Sequence, residues 1–92
     1  MTLTEFEAML QAGQFREIAT VERAVGYSLG EHQHPFDACA YILAGDITLV
    51  VDGAATHYPT GEIFRLAAGV VHLEHAGPHG VSYRVGRRQV AA

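Results

Sequence analysis

This sequence predicts an all-β barrel preceded by a short helix, and three features carry that reading. Segments rich in β-branched residues recur along the chain, an Asp-Gly pair joins two of them, and turn signals punctuate the rest at intervals of roughly ten residues. Strands spaced in this way mark a sandwich or barrel, because βαβ units need a helical stretch between strands.

Ninety-two residues fit one domain, since so short a chain cannot fill a second core. A hydrophobic fraction of 49%, a charged fraction of 17% and ten glycines suit short strands joined by tight turns better than a helical bundle. Thr4 and Glu7 have the spacing of a capping box, which predicts a helix over residues 5–12. Phe6, Met9 and Leu10 form one apolar stripe, so the helix is expected on the outside of the barrel. Gly13 can end it by taking a left-handed C-cap. Residues 1–14 are thus a helical extension and 15–88 the barrel, within a single domain spanning 1–92.

From Phe15 onward Ile18, Val21 and Val25 stand among polar residues, a strand pattern broken by Gly26 and Gly30. The clearest hairpin joins residues 47–51 to 54–58 through Asp52-Gly53, which accept the positive φ angles of a type I′ turn. Gly45-Asp46, Pro59-Thr60-Gly61-Glu62, Ala68-Gly69 and Gly77-Pro78-His79-Gly80 mark the remaining turns.

Ten acidic against six basic residues give a formal charge of -4, which leaves no broad positive footprint for nucleic acid or an anionic membrane surface. The one basic cluster, Arg87-Arg88, reads as a solvated chain end. A single cysteine, Cys39, excludes an intrachain disulfide and is read as packing. The acidic start and the lack of a long apolar run point to a cytoplasmic protein.

Chemistry concentrates in the histidines, six in all. In an extended strand alternate side chains share a face, so His32 and His34 project together while Glu31 and Gln33 point away, and two such imidazoles can chelate one ion. An isolated HxH pair is also compatible with two hydrogen-bonded polar residues. A third histidine in a second spaced pattern, His72, favours the metal.

Residues 31–45 carry the pair His32-Gln33-His34 and close on Gly45, and residues 61–72 run from Gly61 through Gly69 to His72. Together these stretches resemble the two motifs of the cupins, over roughly residues 25–87. The resemblance implies a double-stranded β-helix, a divalent transition metal held by His32, His34 and His72, and a homodimer. Two departures stand out: Ala67 replaces the proline of the second motif, and Ala38 occupies the place of the family's metal-binding glutamate.

Strand parity nominates a substitute. Glu74, two residues beyond His72, shares its face and is the first choice as fourth ligand, with a hydrogen bond to a ligand histidine as its other reading. Asp37 is one residue out of phase and is the second choice. His57, His75 and His79 are expected in solvent. Tyr41, Tyr83 and Arg65 are candidate substrate contacts, with packing or a solvated position as the favoured alternative.

Three imidazoles and a carboxylate suit iron, manganese, nickel, copper or zinc. Small inward residues, Ala38 and Ala40, leave room for a small organic ligand. Metal-dependent chemistry on such a molecule, with dioxygenase chemistry first, is the leading expectation. A non-catalytic sensing module and a metal-free structural barrel are the alternatives. Apolar segments in excess of what one barrel hides predict a homodimer.

Overall fold

The computed structural model describes residues 1–90. Helix α1 (Leu3–Ala12) precedes six strands, β1 (Glu17–Arg23), β2 (Ser28–His32), β3 (Phe36–Val51), β4 (Ala54–Pro59), β5 (Ile63–Leu66) and β6 (His72–Gln89). Among the described residues no helix is long and apolar enough to cross a membrane.

Two long strands organise the fold. β3 and β6 pair antiparallel along nearly their whole lengths, from Phe36 opposite Gln89 to Val50 opposite Leu73. Their register shifts between Ile42 and Ala44 and between Gly45 and Ile47, so both strands bend at mid-length. The bend divides their partners into two antiparallel layers, β1-β6-β3-β5 and β2-β6-β3-β4. Ile42, Ile47, Leu49, Phe64, Val81 and Val85 fill the space between. At the bend Gly45 and Gly80 hold positive φ angles of 68° and 76°. A Cβ on Gly45 would collide with the Gly80 carbonyl, so the close crossing needs glycine for space as well as for conformation.

The Asp52-Gly53 hairpin forms as expected, with Val51 opposite Ala54 and φ angles of 50° and 77° at the two turn residues. Helix α1 differs in its ends. Its cap is Thr2, not Thr4: the Thr2 hydroxyl accepts from the Glu5 N–H and the Glu5 carboxylate accepts from the Thr2 N–H. Both threonines have the T-x-x-E spacing, and the earlier box keeps an extra stretch of chain helical before Phe6. Gly13 caps the other end at φ -84°, and the left-handed residue is Gln14, at φ 63°. Replacing Thr2 with alanine is expected to lower stability by about 1 kcal/mol in urea unfolding; an unchanged midpoint would contradict this cap.

Phe6 and Leu10, both fully buried, pack with Cys39 and the flanking Phe15, Tyr41 and Ile63 on the outer face of the barrel. Gly86 permits this docking, because a Cβ there would press on Leu10 and Phe15. Arg88 is not a solvated chain end. Its guanidinium donates to Asp37 Oδ2 at 2.8 Å and to the Gly13 carbonyl at 3.0 Å, and it stacks over the Phe15 ring. A distant cation thereby satisfies a carbonyl at the helix C-terminus, where the last turn itself has no basic residue.

Asp37 also accepts from the Ala68 N–H at 2.9 Å. That bond, followed by Arg88, holds the Asp37 carboxyl below its usual range. A carboxyl lowered by folding stabilises the native state above its unfolded pKa of about 3.9, and the contribution disappears as pH falls through the folded value. Comparison of the wild type with Asp37→Asn across pH should therefore show the gap in stability closing below about pH 4. A gap independent of pH would contradict this assignment.

Candidate metal centre

Two segments far apart in sequence meet at one end of the barrel. β2 ends at His32, and the chain continues extended in direction through Gln33 and His34, so that both imidazoles still share a side. β6 begins at His72, directly opposite His32. The loop before β6 is tied to the first segment by the Gly69 N–H, which donates to the His34 carbonyl at 2.9 Å. Gly69 stands at φ 81°, a left-handed conformation that brings its amide to that carbonyl at little cost.

The ring centroids of His32, His34 and His72 lie 4.1–5.2 Å apart. Each residue offers a donor atom within 4.8 Å of the other two. His72 is 1% exposed, and the other two rings are half-buried. The His32 Nδ1 lies 2.8 Å from the Gly30 carbonyl, and the His72 Nδ1 lies 3.0 Å from the Val70 carbonyl. A carbonyl can only accept, so both rings carry a proton on Nδ1, and in the neutral form each presents an Nε2 lone pair to the shared centre. Burial, together with the two neighbouring imidazoles, holds the His34 pKa below its ordinary value and favours its neutral form.

Glu74 joins them from the face that parity assigned to it. Its Oε1 lies 3.1 Å from His32 Nε2 and 3.6 Å from His72 Nε2, and its Oε2 accepts from the Tyr27 hydroxyl at 3.3 Å. Despite that proximity, both Nε2 atoms are buried without a hydrogen-bond partner. With neutral rings each Nε2 turns a lone pair on the carboxylate, and the two cannot bond; a second ring proton or a metal ion makes the contact favourable. Lone pairs crowding a carboxylate repel unless a cation lies among them. Two ligand atoms about 2.1 Å from one ion are themselves roughly 3.0–3.4 Å apart, close to the spacings of Glu74 Oε1 from the two nitrogens. The donor set therefore fits a divalent transition metal. The group whose atoms all lie within 4.8 Å of one another comprises the three histidines and does not extend to Glu74.

Asp37, the alternative to Glu74, is engaged elsewhere by Arg88 and Ala68. His75 and His79 are exposed, and His57 is exposed and paired with Asp46 at 2.6 Å. Tyr41 donates to the Met1 carbonyl beside α1, and Arg65 contacts Met9, so neither reaches the centre. Cys39 is buried beneath the helix, where desolvation pushes its thiol pKa up.

A cavity of about 120 Å³ adjoins the histidines. Ala38 lies on its wall, and Ala40 is buried in the core nearby without lining it. Tyr83 also lines it, and burial pushes its pKa up to about 12, which keeps the phenol protonated. Arg23 and Tyr27, two further lining residues, were not singled out in the sequence, and Arg87, read there as a solvated chain end, is exposed but also lines the cavity. Arg87 had a legible signal: it continues the alternation Val81, Tyr83, Val85 into the barrel.

A double-layered antiparallel β-helix with a three-histidine cluster at one end defines a class of small barrels with a candidate metal centre. The sequence of residues 19–77 matches the cupin domain family Cupin_2, and the chain belongs to that family. Among solved structures, it is similar to the conserved SPY1581 protein of unknown function from Streptococcus pyogenes. The identity is 23% and the TM-score 0.71, over 82% of this chain and 65% of that one. It is also similar to the DMSP lyase DddQ from Ruegeria pomeroyi, at 22% identity and TM-score 0.69, over 77% of this chain and 36% of that one. A cupin-2 domain protein from Shewanella frigidimarina gives 17% identity and TM-score 0.65, over 77% and 69% of the two chains. The present chain thus spans just under two thirds of the first of these and about a third of the second. No functionally curated protein matches it significantly.

Proposed function

We propose that this cupin holds a divalent transition metal through His32, His34 and His72, with Glu74 as fourth ligand, and acts on a small organic molecule in the adjoining cavity. One observation carries the reading: two buried Nε2 atoms, lacking any hydrogen-bond partner, converge on a carboxylate oxygen. When bound, the ion would supply Lewis acidity toward a carboxylate, carbonyl or enol oxygen and, if redox-active, electrons for oxygen chemistry. The chain's own contributions are distinct. The Gly30 and Val70 carbonyls fix the tautomers and ring planes of His32 and His72, and Tyr27 orients Glu74. Phe36, Leu66 and Val85 make the walls apolar, and Tyr83 offers a neutral O–H that can donate to a bound oxygen.

Dioxygenase chemistry is the first reaction to test, and the lyase among the similar folds supports keeping elimination beside it. Iron(II)-loaded protein should consume oxygen with an enolic or thiol substrate; failure across such a panel would remove the dioxygenase version. A sensing role is supported by a separate observation: besides Glu74, Tyr27 and Tyr83, the cavity wall holds no side chain suited to carry a proton other than the histidines themselves. A metabolite that raises the melting temperature and is recovered unchanged would favour sensing.

The homodimer belongs to the same proposal. β1 and β5 end one layer and β2 and β4 the other, and these edges, unpaired among the described residues, are where a second copy could add. Sedimentation equilibrium at the mass of two chains would support it, and a single-chain mass would count against it.

A further inference from the structure

On β6 the side chains of Val81, Tyr83 and Val85 are buried inward, and Arg87 follows in the same phase. Its neighbours Arg84 and Arg88 take the opposite phase, and each has a carboxylate partner, Glu7 at 3.3 Å and Asp37 at 2.8 Å. Arg87 lines the histidine cavity instead and makes no ion pair among the described residues. Its guanidinium lies over the Phe36 ring at 4.8 Å, and that ring stacks on His34 at 4.9 Å and 15°. Stacking uses the face of the guanidinium and leaves its five in-plane N–H donors free. Arg23, exposed on the β1 side, lies over Tyr27 at 5.2 Å, lines the cavity and has no carboxylate partner among the described residues, with one guanidinium nitrogen donating to the Glu22 carbonyl at 3.1 Å.

The charges on the wall do not balance. Against two guanidinium groups stands one carboxylate, Glu74, and it is turned toward His32 and His72. With neutral imidazoles the cavity is positive already, and a divalent ion would raise the excess further. Both arginines are exposed, so salt screens part of this field, and the attraction for an anion depends on ionic strength. The cavity, about 120 Å³, falls below the roughly 300 Å³ at which sites for drug-sized molecules begin, so the anion must be small.

We propose that the cavity receives a small carboxylate whose charged end is held by Arg87 and Arg23. This rests on the metal-site reading above and adds the ligand class and the residues that recognise it. The Arg87 guanidinium offers paired N–H donors that match a carboxylate, Arg23 offers the donors not spent on the Glu22 carbonyl, and the apolar wall of Phe36, Leu66 and Val85 accommodates a short carbon chain.

The test uses full-length, zinc-loaded protein titrated with propionate and with uncharged propionamide at constant ionic strength, for the wild type, Arg87→Gln, Arg87→Lys and Arg23→Gln. Zinc affinity is measured separately by competition with a chelator. Propionate should bind the wild type at least about tenfold more tightly than propionamide. Arg87→Gln should weaken propionate by about tenfold or more, the factor expected for losing one charge-assisted pair, with Arg87→Lys recovering part of it. Zinc affinity should stay within about twofold, because neither arginine belongs to the ligand set. Zinc bound normally, with equal propionate affinity in the wild type and both glutamine variants, would overturn the proposal and leave the metal site standing. A wild type that takes up no zinc would overturn the site and this inference with it.

Discussion

In a His72→Ala variant, added zinc no longer raises the melting temperature. In the wild type a hundredfold excess of zinc over Kd adds about 2.7 kcal/mol to the native state, which for a domain of this size is a rise of about 10–20 °C. His72 is the most buried of the three imidazoles, and its Nδ1 is occupied by the Val70 carbonyl, so it has one role left for Nε2. Its loss should weaken metal binding by more than about a hundredfold, beyond the range typical for residues that merely orient a ligand. Each variant is compared with its own metal-free baseline, since removing a buried ring also leaves a void. Glu74→Gln keeps the shape and removes the charge; with Glu74 as a ligand the change should cost more than about a hundredfold in zinc affinity, and a loss of only about 10–100-fold would make it a residue that orients a histidine. A full thermal response in His72→Ala would contradict the assignment.

The second large effect is on the scaffold. Gly45→Ala should destabilise the protein by about 2–5 kcal/mol, a sum of left-handed strain and a collision with the Gly80 carbonyl. Against a typical total of about 5–15 kcal/mol, that lowers the melting temperature by roughly 10–30 °C. Gly53→Ala is the control. Gly53 has a similar φ, 77°, but nothing lies within 4 Å of a Cβ there, so only the strain of about 1–2 kcal/mol remains. Equal losses in the two variants would show that the crossing of β3 and β6 is not tight.

The sequence shows the barrel well because its turns are chemically explicit. Asp52-Gly53 allows little else than a tight hairpin, and Gly45, Gly69 and Gly80 mark backbone that L side chains rarely adopt. Period-2 parity puts Glu74 on the face of His72 and Asp37 on the other, and Glu74 Oε1 lies 3.1 Å from His32 Nε2 while Asp37 is held by Arg88. Other features depend on partners that a linear pattern does not name. Thr2 and Thr4 each stand three residues before a glutamate, so the spacing alone names both, and the structure uses Thr2. Arg87 and Arg88 read alike as a basic pair, yet one residue of phase sends the first into the cavity and the second to Asp37 and the helix end. Tyr27 reaches Glu74 only because the turn at Gly26 brings β2 beside β6.

The central claim is that three imidazoles from two distant stretches of chain serve one ion. Elemental analysis of protein purified without an affinity tag, wild type beside a His32→Ala/His72→Ala double variant, tests it most directly. About one divalent transition-metal ion per chain in the wild type and none in the variant is the expected result. A wild type free of metal after incubation with each candidate ion, or the same metal content in both proteins, would contradict it.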